Sequence, residues 1–80
     1  MRLPRDVSGE ALAAALSYYG YVIARQKGSH VRLSTETHGE HHITIPLHDP
    51  LRVGTLNAIL KDVADHAGLT RDEVAETLFG

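Results

Sequence analysis

The chain has no cysteine and no tryptophan, and only one phenylalanine and one methionine among its 80 residues. Without cysteine, disulfides, thiolate metal centres and cysteine nucleophiles are excluded. A cytoplasmic, reducing compartment is expected. Long apolar runs are also missing. Nothing approaches the roughly 18 consecutive apolar residues of a spanning helix. The opening Met1-Arg2-Leu3-Pro4-Arg5-Asp6 lacks the apolar core of a signal peptide. No membrane partner is expected. Acid is absent from one place in particular. No Asp or Glu falls between Tyr21 and Leu33, although the net charge is −2.

What is present suits a small globular fold. The hydrophobic share is 42%, too high for a disordered chain. Residues 1–80 read as a single domain with a thin core, since a chain this short buries only about 60% of its unfolded surface. A net negative charge argues against a general nucleic-acid coat protein, but charge placement matters more than the sum. Arg25, Lys27 and Arg32 make the middle basic, while Asp62, Asp65, Asp72, Glu73 and Glu76 outweigh Lys61 and Arg71 in the tail.

Ser8 is a good N-cap for a first helix over residues 8–19, with Val7 and Leu12 placed for a hydrophobic staple and Gly20 as its stop. Leu12, Leu16 and Tyr19 recur at helical spacing. Residues 21–25 read as a short strand whose inward set is open: Tyr21, Ile23 and Arg25, or Val22 and Ala24. After a turn at Lys27-Gly28, residues 29–33 alternate, with Val31 and Leu33 on one face and His30 and Arg32 on the other. Residues 34–39 form a polar hairpin loop. Residues 40–45 alternate again, with Ile43 and Ile45 inward and His42 and Thr44 outward, and Pro46 ends the ladder. Gly54-Thr55 opens a second helix that Gly68 closes. Thr70 and Glu73 form a capping box for a short third. The order α-β-β-β-α with a terminal helix predicts an α+β domain, a three-stranded antiparallel sheet carrying helices on one face.

His30, Arg32, His42 and Thr44 would then share the uncovered sheet face. An imidazole in a local positive field suits general acid/base work on a phosphodiester. His30 would take the proton of a ribose 2′-hydroxyl. Arg25, Lys27 or Arg32 would hold the phosphate and stabilise charge on its oxygens, with Ser29 and nearby backbone N–H groups in reach. His42 or His48 would protonate the leaving 5′-oxygen, giving a 2′,3′-cyclic phosphate. No metal and no small-molecule cofactor are needed. The alternative for His30 is an exposed strand histidine without a role. His38, Glu40 and His42 follow i, i+2, i+4 but match no established metal spacing, and a solvated hairpin is the plainer reading. Lys27-Gly28-Ser29 lacks the flanks of a P-loop. Tyr18, Tyr19 and Tyr21 are candidates for base stacking, with packing around the first helix as the alternative.

These residues also carry a resemblance. Gly20-Tyr21, Arg25-Gln26-Lys27-Gly28-Ser29-His30, Thr44-Ile45-Pro46-Leu47-His48 and Gly54-Thr55-Leu56, with Ile59-Leu60 and Ala67-Gly68-Leu69, occur in the order and spacing of the HicA toxins. The chain resembles that family, the mRNA interferases of type II toxin–antitoxin pairs. The resemblance implies a fold like a double-stranded-RNA-binding domain. It implies metal-independent endoribonuclease activity on mRNA, a catalytic histidine that falls on His30, and a HicB-type antitoxin partner covering the active face. A non-catalytic RNA-binding module of the same fold is the alternative. The acidic balance departs from the basic character common in the family.

Overall fold

A computed structural model describes residues 3–80, so Met1 and Arg2 of the opening segment lie outside the described residues. The first helix, α1 (Gly9–Ala15), is capped by Ser8, whose Oγ accepts from the Ala11 N–H at 3.0 Å. A turn of 3-10 helix, Leu16–Tyr19, continues it and ends at Gly20, whose φ of 82° is left-handed. Three strands follow: β1 (Val22–Lys27), β2 (His30–Thr35) and β3 (His41–Pro46). They form an antiparallel sheet in the order β1-β2-β3. The chain then runs through α2 (Val53–Ala67) and α3 (Arg71–Phe79). The reciprocal capping box at Thr70 and Glu73 starts α3.

The period-2 pattern decides which face is covered. Val31, Leu33, Ile43 and Ile45 point at the helices and are almost completely buried. Leu12 and Leu16 from the first helix and Leu56, Leu60 and Val63 from α2 pack onto them, and Val74 of α3 closes the far side. Each such side chain contributes about 1.5–3 kcal/mol when removed from water. Both α1 and α2 touch β3, and α3 leans on α2. The other sheet face carries no helix. This is the expected α-β-β-β-α arrangement with a short C-terminal helix, an α+β fold like that of a double-stranded-RNA-binding domain.

Strand limits differ from expectation by one or two residues, for a local reason. The turn between β1 and β2 is the two-residue Gly28-Ser29, closed by the pair Lys27 and His30. Of the two, only Gly28 has positive φ, at 57°, the pattern of a type II′ turn with glycine first. The tight turn lengthens β1 to Lys27. Pro46 is the last residue of β3, and the Leu47 N–H donates to the Ser29 carbonyl at 2.6 Å. Alternation therefore turns the Pro46 nitrogen to the sheet's outer edge, where no donor is needed.

Tyr19 presents a local conflict. Its ring packs against the core, and its hydroxyl is buried without a hydrogen-bond partner among the described residues. Such a group carries a desolvation cost of about 1–3 kcal/mol. Tyr19→Phe is expected to leave stability unchanged or raise it by up to about 1 kcal/mol. A urea midpoint for Tyr19→Phe clearly below wild type would mean that the hydroxyl has a partner after all.

Candidate nucleic-acid interface

The open sheet face is a grid of three rows set by the strand register. Lys27, His30 and Pro46 form one row, and Arg25, Arg32 and Thr44 the next. Val22, Ser34 and His42 form the third. Directly opposed side chains lie about 4.5–5.5 Å apart at Cβ, and successive rows about 6–7 Å apart. Two cross-strand pairs, Lys27 with His30 and Arg25 with Arg32, therefore cluster at one end. All four residues are exposed, and Arg25, Lys27 and Arg32 have no ion-pair partner among the described residues.

A bulge makes this cluster possible. The β1 register shifts between Ile23 and Arg25, so that Ile23 opposes Leu33 while Arg25 opposes Arg32. Ala24 is the extra residue. Before it Val22 is on the open face, and after it Arg25 and Lys27 are. A β-bulge re-aims the side chains that follow it, and here it turns both cations toward His30. Neither inward set proposed for this strand holds along its whole length, because the faces exchange at Ala24.

Two of the six histidines, His41 and His42, have both ring nitrogens engaged, and a third, His66, is held through one. His42 lies with Nδ1 at 2.6 Å from Ser34 Oγ and Nε2 at 3.2 Å from Glu40 Oε2. The Glu40 carboxylate accepts from Nε2, and Nδ1 shares a hydrogen bond with the Ser34 hydroxyl. His41 is placed similarly on the covered side: Nε2 donates to Asp62 Oδ1 at 3.2 Å and Nδ1 accepts from the Tyr21 hydroxyl at 2.7 Å. His66 stacks on His41 with ring centroids 4.4 Å apart, and its Nε2 donates to the Thr37 and Gly39 carbonyls at 3.0 Å. The ring of His30 has one long contact, from Nδ1 to Ser29 Oγ at 3.5 Å, too long for a good hydrogen bond. The rings of His38 and His48 have none among the described residues.

Register separates the two candidates for a second acid/base. His42 is two rows from His30, about 13 Å along the sheet and one strand over. One scissile phosphate does not reach both. His48 follows Pro46, the residue that opposes His30, by two positions. Its carbonyl accepts from the Gly9 N–H of α1 at 2.8 Å, while the Leu47 N–H to the Ser29 carbonyl holds this segment beside the Gly28-Ser29 turn. The structure therefore groups Arg25, Lys27, Ser29, His30, Arg32 and the His48 segment at one end of the sheet, and places His42 at the other with Ser34 and Glu40.

The Tyr21, His41 and Asp62 chain has no signal in the sequence, because it joins a strand entry, a hairpin and a helix. It locks the β2–β3 hairpin onto α2. Burial, and then the negative charge of Asp62, push the Tyr21 phenol up to about 12. Below about pH 10, the unfolded value, the phenol is protonated in both states and the stabilisation is fully present. It is lost as pH rises through about 12, by on the order of 1–2 kcal/mol after allowance for solvent screening. Wild type is thus expected to lose stability more steeply than Tyr21→Phe across that alkaline range. Parallel melting curves for the two proteins would remove this role from the phenol.

The fold and this face can be set beside known proteins. A family model described as "HicA toxin of bacterial toxin-antitoxin" matches residues 9–64, more than half of the chain. The chain belongs to the HicA toxin family. No curated protein and no solved structure matches. The HicA match covers α1, the whole sheet and most of α2, and so includes every residue of the basic cluster. It ends before His66 and α3. Membership in a HicA toxin–antitoxin family points to an antitoxin as partner. Among the described residues no helix is long and apolar enough to cross a membrane.

Proposed function

We propose that the open face binds an RNA strand and cuts it by histidine acid/base chemistry, as an mRNA interferase held in check by a HicB-type antitoxin. One observation carries this reading: an exposed imidazole, His30, opposes Lys27 and adjoins the Arg25 and Arg32 pair, with no carboxylate in either row. Like charges placed directly opposite destabilise a sheet. An anion lying across Arg25 and Arg32 removes that penalty, and a phosphodiester supplies it.

His30 takes the proton of the ribose 2′-hydroxyl as its oxygen attacks phosphorus. The cations stabilise charge gathering on the phosphoryl oxygens. The bond to the 5′-oxygen breaks, and His48 returns a proton to it. The products are a 2′,3′-cyclic phosphate and a 5′-hydroxyl. Purified protein with RNA in excess chelator tests this, with end-group analysis of the fragments. Uncut RNA that is nonetheless bound would favour a non-catalytic RNA-binding module. That reading draws on His30 having Lys27 and Pro46, rather than a second imidazole, as its direct neighbours.

The like-charge pair gives a separate test. Arg25→Gln or Arg32→Gln is expected to raise stability slightly, by about 0.2–1 kcal/mol, while weakening RNA binding. The salt dependence of binding should flatten by about one unit of log–log slope for each cation removed. Unchanged RNA affinity in both variants would take the phosphate away from this cluster.

A further inference from the structure

We propose that β1 is a strand-addition site for an extended, acidic segment of a separate protein, whose apolar side chains seat in a groove between β1 and α1. The proposal rests on the toxin reading only for its consequence, which is that occupation of β1 blocks the row containing His30. β1 is an edge strand, and alternate residues direct their N–H and C=O groups away from β2. All six of its residues are exposed. Val22 is 64% and Ile23 62% accessible, and they lie on opposite faces of the strand. An added strand would cover both.

The groove explains why one side of this edge is open. Helix α1 presents small residues, Ala13 and Ala14, toward β1, and nothing large fills the space between them. The resulting cleft has a volume of about 780 Å³ and is lined chiefly by Ala13, Ala14, Ile23, Leu33 and Leu47. Strand addition obtains affinity from main-chain hydrogen bonds and specificity from pockets for alternate side chains. Here the inward pocket is mainly apolar, with Glu10, Ser17 and Gln26 also in its lining, and the outward positions meet Arg25 and Lys27.

Charge decides the occupant. Arg25 and Lys27 have no ion-pair partner among the described residues. A second copy of this chain pairing through β1 would set these cations against their own kind, which is unfavourable. A bulge and cations are devices that discourage pairing between like edges. They select an incoming strand that alternates apolar residues with Asp or Glu. Its acids would neutralise two of the three cations that hold phosphate, so partner and RNA exclude one another.

The test uses the full chain and a synthetic peptide alternating valine with glutamate. Its lysine counterpart serves as control. Amide hydrogen exchange by NMR is read without RNA, so that a protein inactive as a nuclease still reports on β1. The acidic peptide is expected to slow exchange at β1 and to shift the Ile23 and Leu33 methyl signals. Ile23→Lys, which puts a charge in the groove wall, and Ala14→Phe, which fills the groove from an exposed helix position, should each weaken binding about tenfold or more with the fold retained. Absence of protection at β1, equal binding of the lysine peptide, or β1 protection that grows with protein concentration alone would overturn the proposal. The last result would mean self-pairing. Peptide binding together with a failure to cut RNA would overturn the nuclease reading and leave the docking site standing.

Discussion

His30→Ala is expected to reduce RNA cleavage by about 10²–10⁴-fold, the usual contribution of general acid/base catalysis. Its effect on stability should stay within about 0.5 kcal/mol, as for other surface changes. The imidazole is exposed, and its one contact, with Ser29, is long. Activity and folding can therefore be separated at this residue. Ranking the histidines sharpens the test. His48→Ala should fall next, by about 10²-fold, because the leaving 5′-oxygen still needs a proton. His42→Ala should stay within a few-fold of wild type, since both of its nitrogens are committed to Ser34 and Glu40 and it lies two rows away. Cleavage that persists in His30→Ala would remove the assignment. A large loss in His42→Ala with none in His48→Ala would relocate the scissile phosphate to the hairpin end.

The measurements should be made in chelator and across salt concentrations. Binding through Arg25, Lys27 and Arg32 is electrostatic and weakens as salt rises. Under saturating RNA, cleavage by wild type and by Arg32→Gln should approach each other if the cation only binds. They should stay apart if it also stabilises the transition state. The comparison distinguishes holding phosphate from catalysing at it.

The register of β2 and β3 is legible in the chain because each of these strands has one buried face. Val31, Leu33, Ile43 and Ile45 alternate with His30, Arg32, His42 and Thr44, and a slip of one residue would turn every side chain over. The first strand was not legible for the converse reason. With all six residues exposed, its pattern lacks a buried face to anchor it, and the bulge at Ala24 then exchanges the two faces. Ser8, Gly20, Gly68 and the Thr70 capping box announced the helix ends through local chemistry. The Tyr21, His41 and Asp62 chain could not be anticipated, since its members are brought together only when α2 packs on the sheet. The same holds for the choice between His42 and His48. Sequence places both histidines in or just after the third strand; only the pairing of His30 with Pro46 sets one close and the other far.

The second large effect is expected at Gly9, outside the basic cluster. A Cβ there would lie 2.9 Å from the Pro46 carbonyl carbon and closer still to its oxygen. Both are backbone atoms at the end of β3, which cannot swing aside as a flexible side chain would. Gly9→Val should therefore destabilise the protein by about 3 kcal/mol or more, roughly 12 °C in melting temperature. Gly9→Ala should show the same effect at smaller size. Gly54→Ala is the control. It too lies in a first helical turn, but nothing approaches its side-chain position, and it should gain a few tenths to about 1 kcal/mol of helix propensity. The consequence reaches the site, because the Gly9 N–H holds the His48 carbonyl and the Leu47 N–H holds Ser29. Pushing α1 off Pro46 loosens the segment that carries His48 beside the Gly28-Ser29 turn. Cleavage by Gly9→Ala, measured cold enough that the protein stays folded, should drop more than RNA binding does. Melting equal to wild type would dismiss the close approach. A destabilised but fully active folded fraction would mean that His48 takes no part in the reaction.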